Sequence, residues 1–321
     1  GRAKARLKLL NSNVRLIAVV GPTGTGKSDL ALDIAAEIIA RGGRAEIINS
    51  DSMQFYRGMD IGTAKLAVDE RRGIEHHMLD VLEITQESTA ADYQAQARPI
   101  VENLQAKGVT PIVVGGSMLY VAALLNTFEF PARDEALRAQ LEKDLLESGP
   151  HAMHRKLAEI DPGAASRIIP ENGRRTVRAL EVVMSTGKPF AAALPEKTES
   201  WQPVLEIGLN SDREHLVGRL HKRVEKMWQI GLVDETLALE PFGIRTGKTS
   251  SQAIGYSQAL RQIDGLMTEA EAIEDTARLT ARYARRQVSW FKRDERINWL
   301  DYQDPNYRDR AFELVRSQLE L

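Results

Sequence analysis

Val14-Arg-Leu-Ile-Ala-Val-Val-Gly-Pro-Thr-Gly-Thr-Gly-Lys-Ser28 is the stretch on which the fold turns. Its first seven residues are a short, mostly β-branched and apolar run, which reads as a buried strand. The next eight, Gly21 to Ser28, fit the G-x-x-x-x-G-K-S pattern of a phosphate-binding loop. Lys27 to Arg41 then places Leu30, Ile34 and Ile38 at helical spacing before Gly42-Gly43 stops it. Strand, glycine-rich turn and helix in that order are the context the motif needs. Glycines let backbone N–H groups turn inward around a phosphate, and the helix N terminus adds partial positive charge. Lys27 adds a full charge, and the Ser28 hydroxyl is a candidate Mg²⁺ ligand. The candidate phosphate-binding residues are Gly21, Thr23, Gly24, Thr25, Gly26, Lys27 and Ser28. A glycine-rich turn that binds nothing is the alternative.

Outward from this motif, strand and helix alternate. Glu46-Ile-Ile48 reads as a second strand, Asp92 to Lys107 as a helix, and Ile112-Val-Val114 as a third strand. That alternation predicts an α/β fold: a parallel sheet of the P-loop NTPase kind, flanked by crossover helices. The pattern changes near Pro131. Residues 134–188 carry helical patterns only, broken at Gly149-Pro150, Asp161-Pro162 and Pro170. Strand signals return at Val204 to Leu209 and at Ile297 to Trp299, and long helices are expected at 212–230 and 268–292. The expected organisation is a core of residues 14–130 and 201–321 interrupted by an inserted all-helical domain at 131–200. Residues 1–13, with Arg2, Lys4, Arg6 and Lys8, read as a disordered tail or expression remnant.

The 321 residues carry 43 Lys+Arg against 45 Asp+Glu, an ordinary soluble balance with 43% apolar residues. With no cysteine, the sequence excludes disulfides, thiol catalysis, iron–sulfur clusters and Cys-based zinc sites. No run of 18 apolar residues exists, so no membrane-spanning helix is expected. The third strand ends in Gly115-Gly116-Ser117, without the acidic residue that motor ATPases and GTPases place there. An acidic residue instead follows the second strand, in Asn49-Ser-Asp51-Ser52. In open parallel sheets ligands sit at the carboxyl ends of strands. Thr23–Ser28, Asp51–Ser52 and Gly115–Ser117 are therefore expected around one crevice, with Asp51 facing the group that attacks the phosphate-bearing ligand. A solvated turn aspartate is the other reading.

Taken together, these motifs and others further along resemble the tRNA dimethylallyltransferases, or tRNA isopentenyltransferases. The resemblance rests on the phosphate loop, Asn49-Ser-Asp-Ser-Met-Gln54 with Tyr56, and Ile61-Gly-Thr-Ala-Lys65. It continues through His76-His77 with Asp80, Val114-Gly-Gly-Ser-Met-Leu-Tyr120, Arg174-Arg175 and Arg178-Ala-Leu-Glu-Val182. Ala253-Ile-Gly-Tyr256 and Arg282-Tyr-Ala-Arg-Arg-Gln287 with Trp290-Phe291 complete it, so it runs from about Val14 to about Trp299. The order and spacing carry more than any single motif except the first. The resemblance implies transfer of a dimethylallyl group from dimethylallyl diphosphate to N6 of the adenosine 3′-adjacent to the anticodon, in tRNAs reading codons that begin with U. It implies that Asp51 takes the N6 proton while Thr23, Arg223, Lys27 and Mg²⁺ on Ser28 stabilise the departing diphosphate. It assigns tRNA contacts to Asp51, Ser52, Met53, Gln54 and Ser117. It extends them to Arg174, Arg175, Arg178, Gly255, Tyr256, Arg282, Arg285, Arg286, Gln287, Trp290 and Lys292. The inserted helices would hold the anticodon stem. Ser117 stands where relatives more often have Thr, Leu66 where they often have Pro, and Gln252 where they have a basic residue. Ser289 and Lys292 replace the common Thr and Arg, and a lysine keeps the charge but not the bidentate geometry.

Charge distribution supports an RNA partner. Arg278 to Arg296 holds seven basic residues against two acidic, and Arg174, Arg175 and Arg178 form a second cluster. A solvated helix face is the plain alternative for both. Arg219 and Arg223, at i and i+4, share one helix face, Arg219 expected solvated and Arg223 in the site. His76-His77 has no third ligand at metal-binding spacing and is expected to be structural. The competing functions are a prenyltransferase acting on free adenine nucleotides and a P-loop small-molecule kinase. A monomer working in the cytoplasm, without membrane attachment, is expected.

Overall fold

The computed structural model describes residues 14–127, 130, 133–190 and 198–319. The tail at 1–13 lies outside the described residues. Six parallel strands form one sheet in the order β3-β2-β4-β1-β5-β6. They are β1 (Ile17–Val20), β2 (Ala45–Asn49), β3 (His76–His77), β4 (Thr110–Gly115), β5 (Leu205–Asn210) and β6 (Asn298–Asp301). Strand β1 is central, with Ile17 opposite Ile112 of β4 on one side and Leu205 of β5 on the other.

The period-two alternation of β1 explains why it is apolar throughout. Ile17 and Val19 point to one face of the sheet, into a core with Leu30, Ile34 and Ile38 of α1 (Lys27–Ala40) and Ala311 and Val315 of α11 (Tyr307–Leu319). Leu16, Ala18 and Val20 point to the other, against Tyr93, Ala97 and Val101 of α2 (Ala90–Ala106) and Val121 and Leu124 of α3 (Met118–Leu125). A parallel sheet covered on both faces needs this continuous hydrophobic run. The expected strands and long helices are all present, with ends shifted by one to three residues. Elements with no counterpart in the sequence pattern include β3 and α3. The first has only two residues. The second is apolar nearly all round and shows no polar face to mark its period.

The described chain divides into two compact units, one holding the residues up to Leu125 and from Ser200 on, the other Asn126–Glu199. The second contains α4 (Glu135–Ile160), α5 (Pro162–Ala165) and α6 (Gly173–Thr186), and its own core around Leu141, Met153, Leu157, Val177 and Leu180. Gly149, at φ 81°, breaks α4 where the Gly-Pro pair stands. Asp134, Asp161 and Asn172 cap the three helices, their side chains accepting from Leu137, Ala164 and Arg175 N–H.

In the first unit β5 leads to α7 (Arg213–Gln229), α8 (Leu232–Leu239), α9 (Tyr256–Ile263) and α10 (Glu269–Phe291). A third core joins these helices through Val224, Met227, Trp228, Leu232 and Ala259 to Tyr56 and Met59. Helix α10 starts with a capping box: Thr268 Oγ1 accepts from Glu271 N at 3.1 Å and Glu271 Oε1 accepts from Thr268 N at 3.2 Å.

Candidate active site

The carboxyl ends of β1, β2 and β4 open onto a crevice of about 370 Å³. Thr23, Gly24, Gly26, Lys27 and Ser28 line it from the loop after β1, Asn49, Asp51 and Gln54 from the end of β2, and Gly115 from the end of β4. Arg219 and Arg223 close it from α7. Three strand ends distant in sequence are thus brought together as the crevice rule requires.

The loop itself is built from backbone geometry. Gly24 and Gly26 sit at φ 81° and 89°, a left-handed region costly for any side chain. Thr25 is buried, its hydroxyl donating to Pro22 O at 3.0 Å, so only its backbone faces a ligand. Lys27 Nζ donates to the same carbonyl at 2.7 Å. Burial pulls the Lys27 ammonium down to about 7, a fall that Asp51 opposes and Arg223 assists. The Arg223 guanidinium is lowered from its usual value by burial, while Asp51 favours its charge.

Asp51 is held from both sides. Its backbone N–H donates to Asn49 Oδ1 at 3.0 Å, and its Oδ1 accepts from Met53 N at 3.1 Å, capping the 3₁₀ turn Ser52–Phe55. Burial raises the carboxyl above the usual range, and Lys27, the Met53 N–H and Arg223 pull against that rise. This is a carboxylate made more basic yet kept beside two cations. Ser52 N donates to Ser117 Oγ at 2.9 Å, which ties the ends of β2 and β4. Gln54 spends its Nε2 on Thr63 O at 2.9 Å.

The other expected site residues separate into groups. Arg282, Arg285, Arg286, Trp290 and Lys292 are exposed along α10 and its C-terminal end. Phe291 is in the core. Arg174 and Arg175 are exposed in the first turn of α6, and Arg178 Nη1 donates to buried Glu181 at 2.9 Å. Two expectations need correction. Tyr256 is 0% exposed, its hydroxyl donating to Glu235 and accepting from Gly62 N at 3.1 Å, and Gly255 N donates to Gln258 inside the same core. These two hold the Ile61–Lys65 loop and α9 together and show no surface to RNA. Gln287 is 2% exposed, with Oε1 accepting from Thr23 N and Nε2 donating to Gly116 O, both at 2.9 Å. It faces the phosphate loop, not solvent.

Arg219 is exposed, as expected, and it also reaches the crevice. It stacks on Tyr302, 4.5 Å from the ring centroid, and lines the crevice with Arg223. Its tyrosine partner lies beyond β6, too far along the chain for helical spacing to reveal. Tyr283, inside the Arg282–Gln287 motif but given no role in the sequence reading, lies near Asp51. It hydrogen-bonds Ser117, and burial together with nearby Asp51 pushes its hydroxyl up to about 12. His77 Nε2 pairs with Glu46 at 2.8 Å and His76 Nδ1 with Ile74 O at 2.8 Å on the sheet edge. No group of three or more His, Cys, Asp or Glu side chains able to hold a metal occurs among the described residues.

A phosphate loop, a basic carboxylate one strand over and paired arginines on a parallel sheet define a P-loop-type transferase site. Residues 54–294 match the family model described as IPP transferase, and the chain belongs to that family. It is 53% identical over 306 residues to the tRNA dimethylallyltransferase of Thermobifida fusca, covering 95% of this chain and 96% of that one. Among solved structures it is similar to the full-length tRNA isopentenylpyrophosphate transferase of Bacillus halodurans, with a TM-score of 0.69, 36% identity, and 95% and 97% of the two chains covered. It is also similar to a eukaryotic dimethylallyltransferase acting on tRNA, with a TM-score of 0.78, 29% identity, and 96% and 80% covered.

Proposed function

We propose that the chain transfers a dimethylallyl group from dimethylallyl diphosphate to N6 of the adenosine 3′-adjacent to the anticodon in tRNAs reading codons that begin with U. The products are N6-(dimethylallyl)adenosine and diphosphate. The observation that carries this reading is the pairing of Asp51 with Lys27 and Arg223 in one crevice: a base beside a cradle for an anionic leaving group.

An allylic C1–O bond breaks with charge delocalised over the departing carbon fragment, so the barrier falls mainly by stabilising the diphosphate. The loop N–H groups, Lys27, the Thr23 side chain, Arg223 and Arg219 are the groups available for that task. The aromatic amine N6 is a weak nucleophile, so alignment and proton removal both matter. Asp51 accepts the N6 proton as the N6–C1 bond forms and the C1–O bond breaks. Its raised basicity suits that step at neutral pH. The adenosine must leave the anticodon-loop stack to reach Asp51, which lines the crevice with Gln54.

The Ser28 hydroxyl lines the crevice beside Lys27, and no ligand cluster of protein carboxylates or histidines accompanies it among the described residues. That donor set fits Mg²⁺, which takes most of its octahedral shell from substrate phosphates and water. When bound, the ion supplies positive charge to the diphosphate oxygens.

Arg174 and Arg175 sit where the helix dipole disfavours cations. A phosphate placed there gains the helix terminus and two guanidiniums, which supports α6 and the exposed arginines of α10 as the RNA grips. A tRNA substrate also fits a cytoplasmic enzyme, and no helix among the described residues is long and apolar enough to cross a membrane. The test is transfer of label from radiolabelled dimethylallyl diphosphate. We expect label on adenosine of unmodified tRNA. Label on AMP but not tRNA, or consumption of ATP with a small acceptor, overturns the proposal.

A further inference from the structure

We propose that Gln287 is a positioning residue of this reaction: its buried amide, held between the Thr23 N–H and the Gly116 carbonyl, sets the phosphate loop for the diphosphate. The inference rests on the function proposed above and concerns how the cradle is held. Helix α10 is otherwise ordinary, apolar or small where buried (Ala272, Thr276, Ala277, Ala284, Phe291) and mostly charged where exposed. A glutamine at a core position is costly unless both ends of its amide are paired. Here one orientation alone pairs both, since Thr23 offers a donor and Gly116 an acceptor, each at 2.9 Å. A leucine or methionine would fill the same space. Only an amide can join the first and third crevice walls in this way.

Two further observations point to the same role. A Cβ at position 116 would collide with Gln287 Nε2 and with Gly21 O, so Gly116 leaves the room that the amide occupies. One helical turn earlier, Tyr283 hydrogen-bonds Ser117, whose Oγ accepts from Ser52 N beside Asp51. The buried face of α10 therefore reaches both the diphosphate cradle and the wall that carries the base. With its N–H committed to Gln287, Thr23 has only its hydroxyl left to offer the ligand. The outer face of the same helix carries Arg282 and Arg285. An RNA that presses on those arginines acts on the helix that holds the loop.

The test uses the full chain with Gln287→Met and Gln287→Glu, each checked for a wild-type melting profile. Affinity for inorganic pyrophosphate with Mg²⁺ is measured by calorimetry, and affinity for tRNA by filter binding. Losing one or both hydrogen bonds should weaken pyrophosphate binding about tenfold and raise KM for dimethylallyl diphosphate similarly. The tRNA affinity should stay within about twofold, because a buried side chain does not touch the RNA. If only one variant folds, it alone decides. A drop in tRNA affinity with unchanged pyrophosphate binding overturns the inference and returns Gln287 to the RNA surface. Unchanged values for both ligands also overturn it. A wild-type chain that does not bind pyrophosphate defeats the reading of the loop itself, an outcome the variants alone cannot produce.

Discussion

Asp51 and Lys27 each shift the other's charge, and the site depends on that reciprocity. Burial pulls the Lys27 ammonium toward neutrality before ligand arrives. An incoming diphosphate raises its pKa, and the loop then takes up a proton. Pyrophosphate binding at pH 8 should therefore absorb protons from the buffer, seen as a dependence of calorimetric heat on buffer ionisation enthalpy. No dependence would mean that Lys27 is already charged. Asp51 must be ionised to act, so turnover should fall as pH drops through its raised pKa. Asp51→Asn should lower kcat by about 10²–10⁴-fold while leaving tRNA affinity nearly intact. Retained activity would remove the general-base role. Residues of this kind are legible in sequence because a motif places them at a strand end. Arg219 and Tyr283 are not, because what brings them to the crevice is packing against Tyr302 and Ser117, each set by another part of the chain.

Helix α10 shows how much an element reveals before its structure is seen. Its basic stripe is readable, and its bounds fall within a residue of expectation. The direction of Gln287 is not readable, since a polar residue between two arginines and a valine looks like part of the wet face. Strand β3 leaves no signal because two residues have no period. Removing the cap with Thr268→Ala should cost about 1 kcal/mol in chemical denaturation without changing tRNA affinity. Replacing Arg282 or Arg285 by alanine should weaken tRNA binding. The slope of log affinity against log salt should fall by about 1 for each RNA phosphate left without its arginine. An unchanged slope would mark those side chains as solvated only.

At the scale of the whole molecule the helical segment is set off by its own core and by the neighbouring ends of the chain around it. Thr127 N donates to Glu199 O at 2.9 Å, and Trp201 N to Leu125 O at 2.7 Å. Replacing Asn126–Glu199 with a short Gly/Ser link should leave a folded sheet that binds pyrophosphate but holds tRNA far more weakly. Calorimetry and filter binding check the two halves of that expectation. Equal tRNA affinity would shift the RNA grip entirely to α10. The composition change near Pro131 makes the segment visible in sequence, while its edges at Asn126 and Glu199 depend on packing that composition does not encode.

The central place of β1 also governs how the molecule is born. Its neighbour on one flank, β4, follows within about the first third of the chain, but the other flank waits for β5, some way past the helical segment. A polypeptide leaving the ribosome must carry β1 with one row of backbone groups unsatisfied while the later helices are made. Such an open, apolar strand invites pairing with a neighbouring nascent chain. Pairing of β1 on both flanks therefore waits until residues 205–210 have emerged.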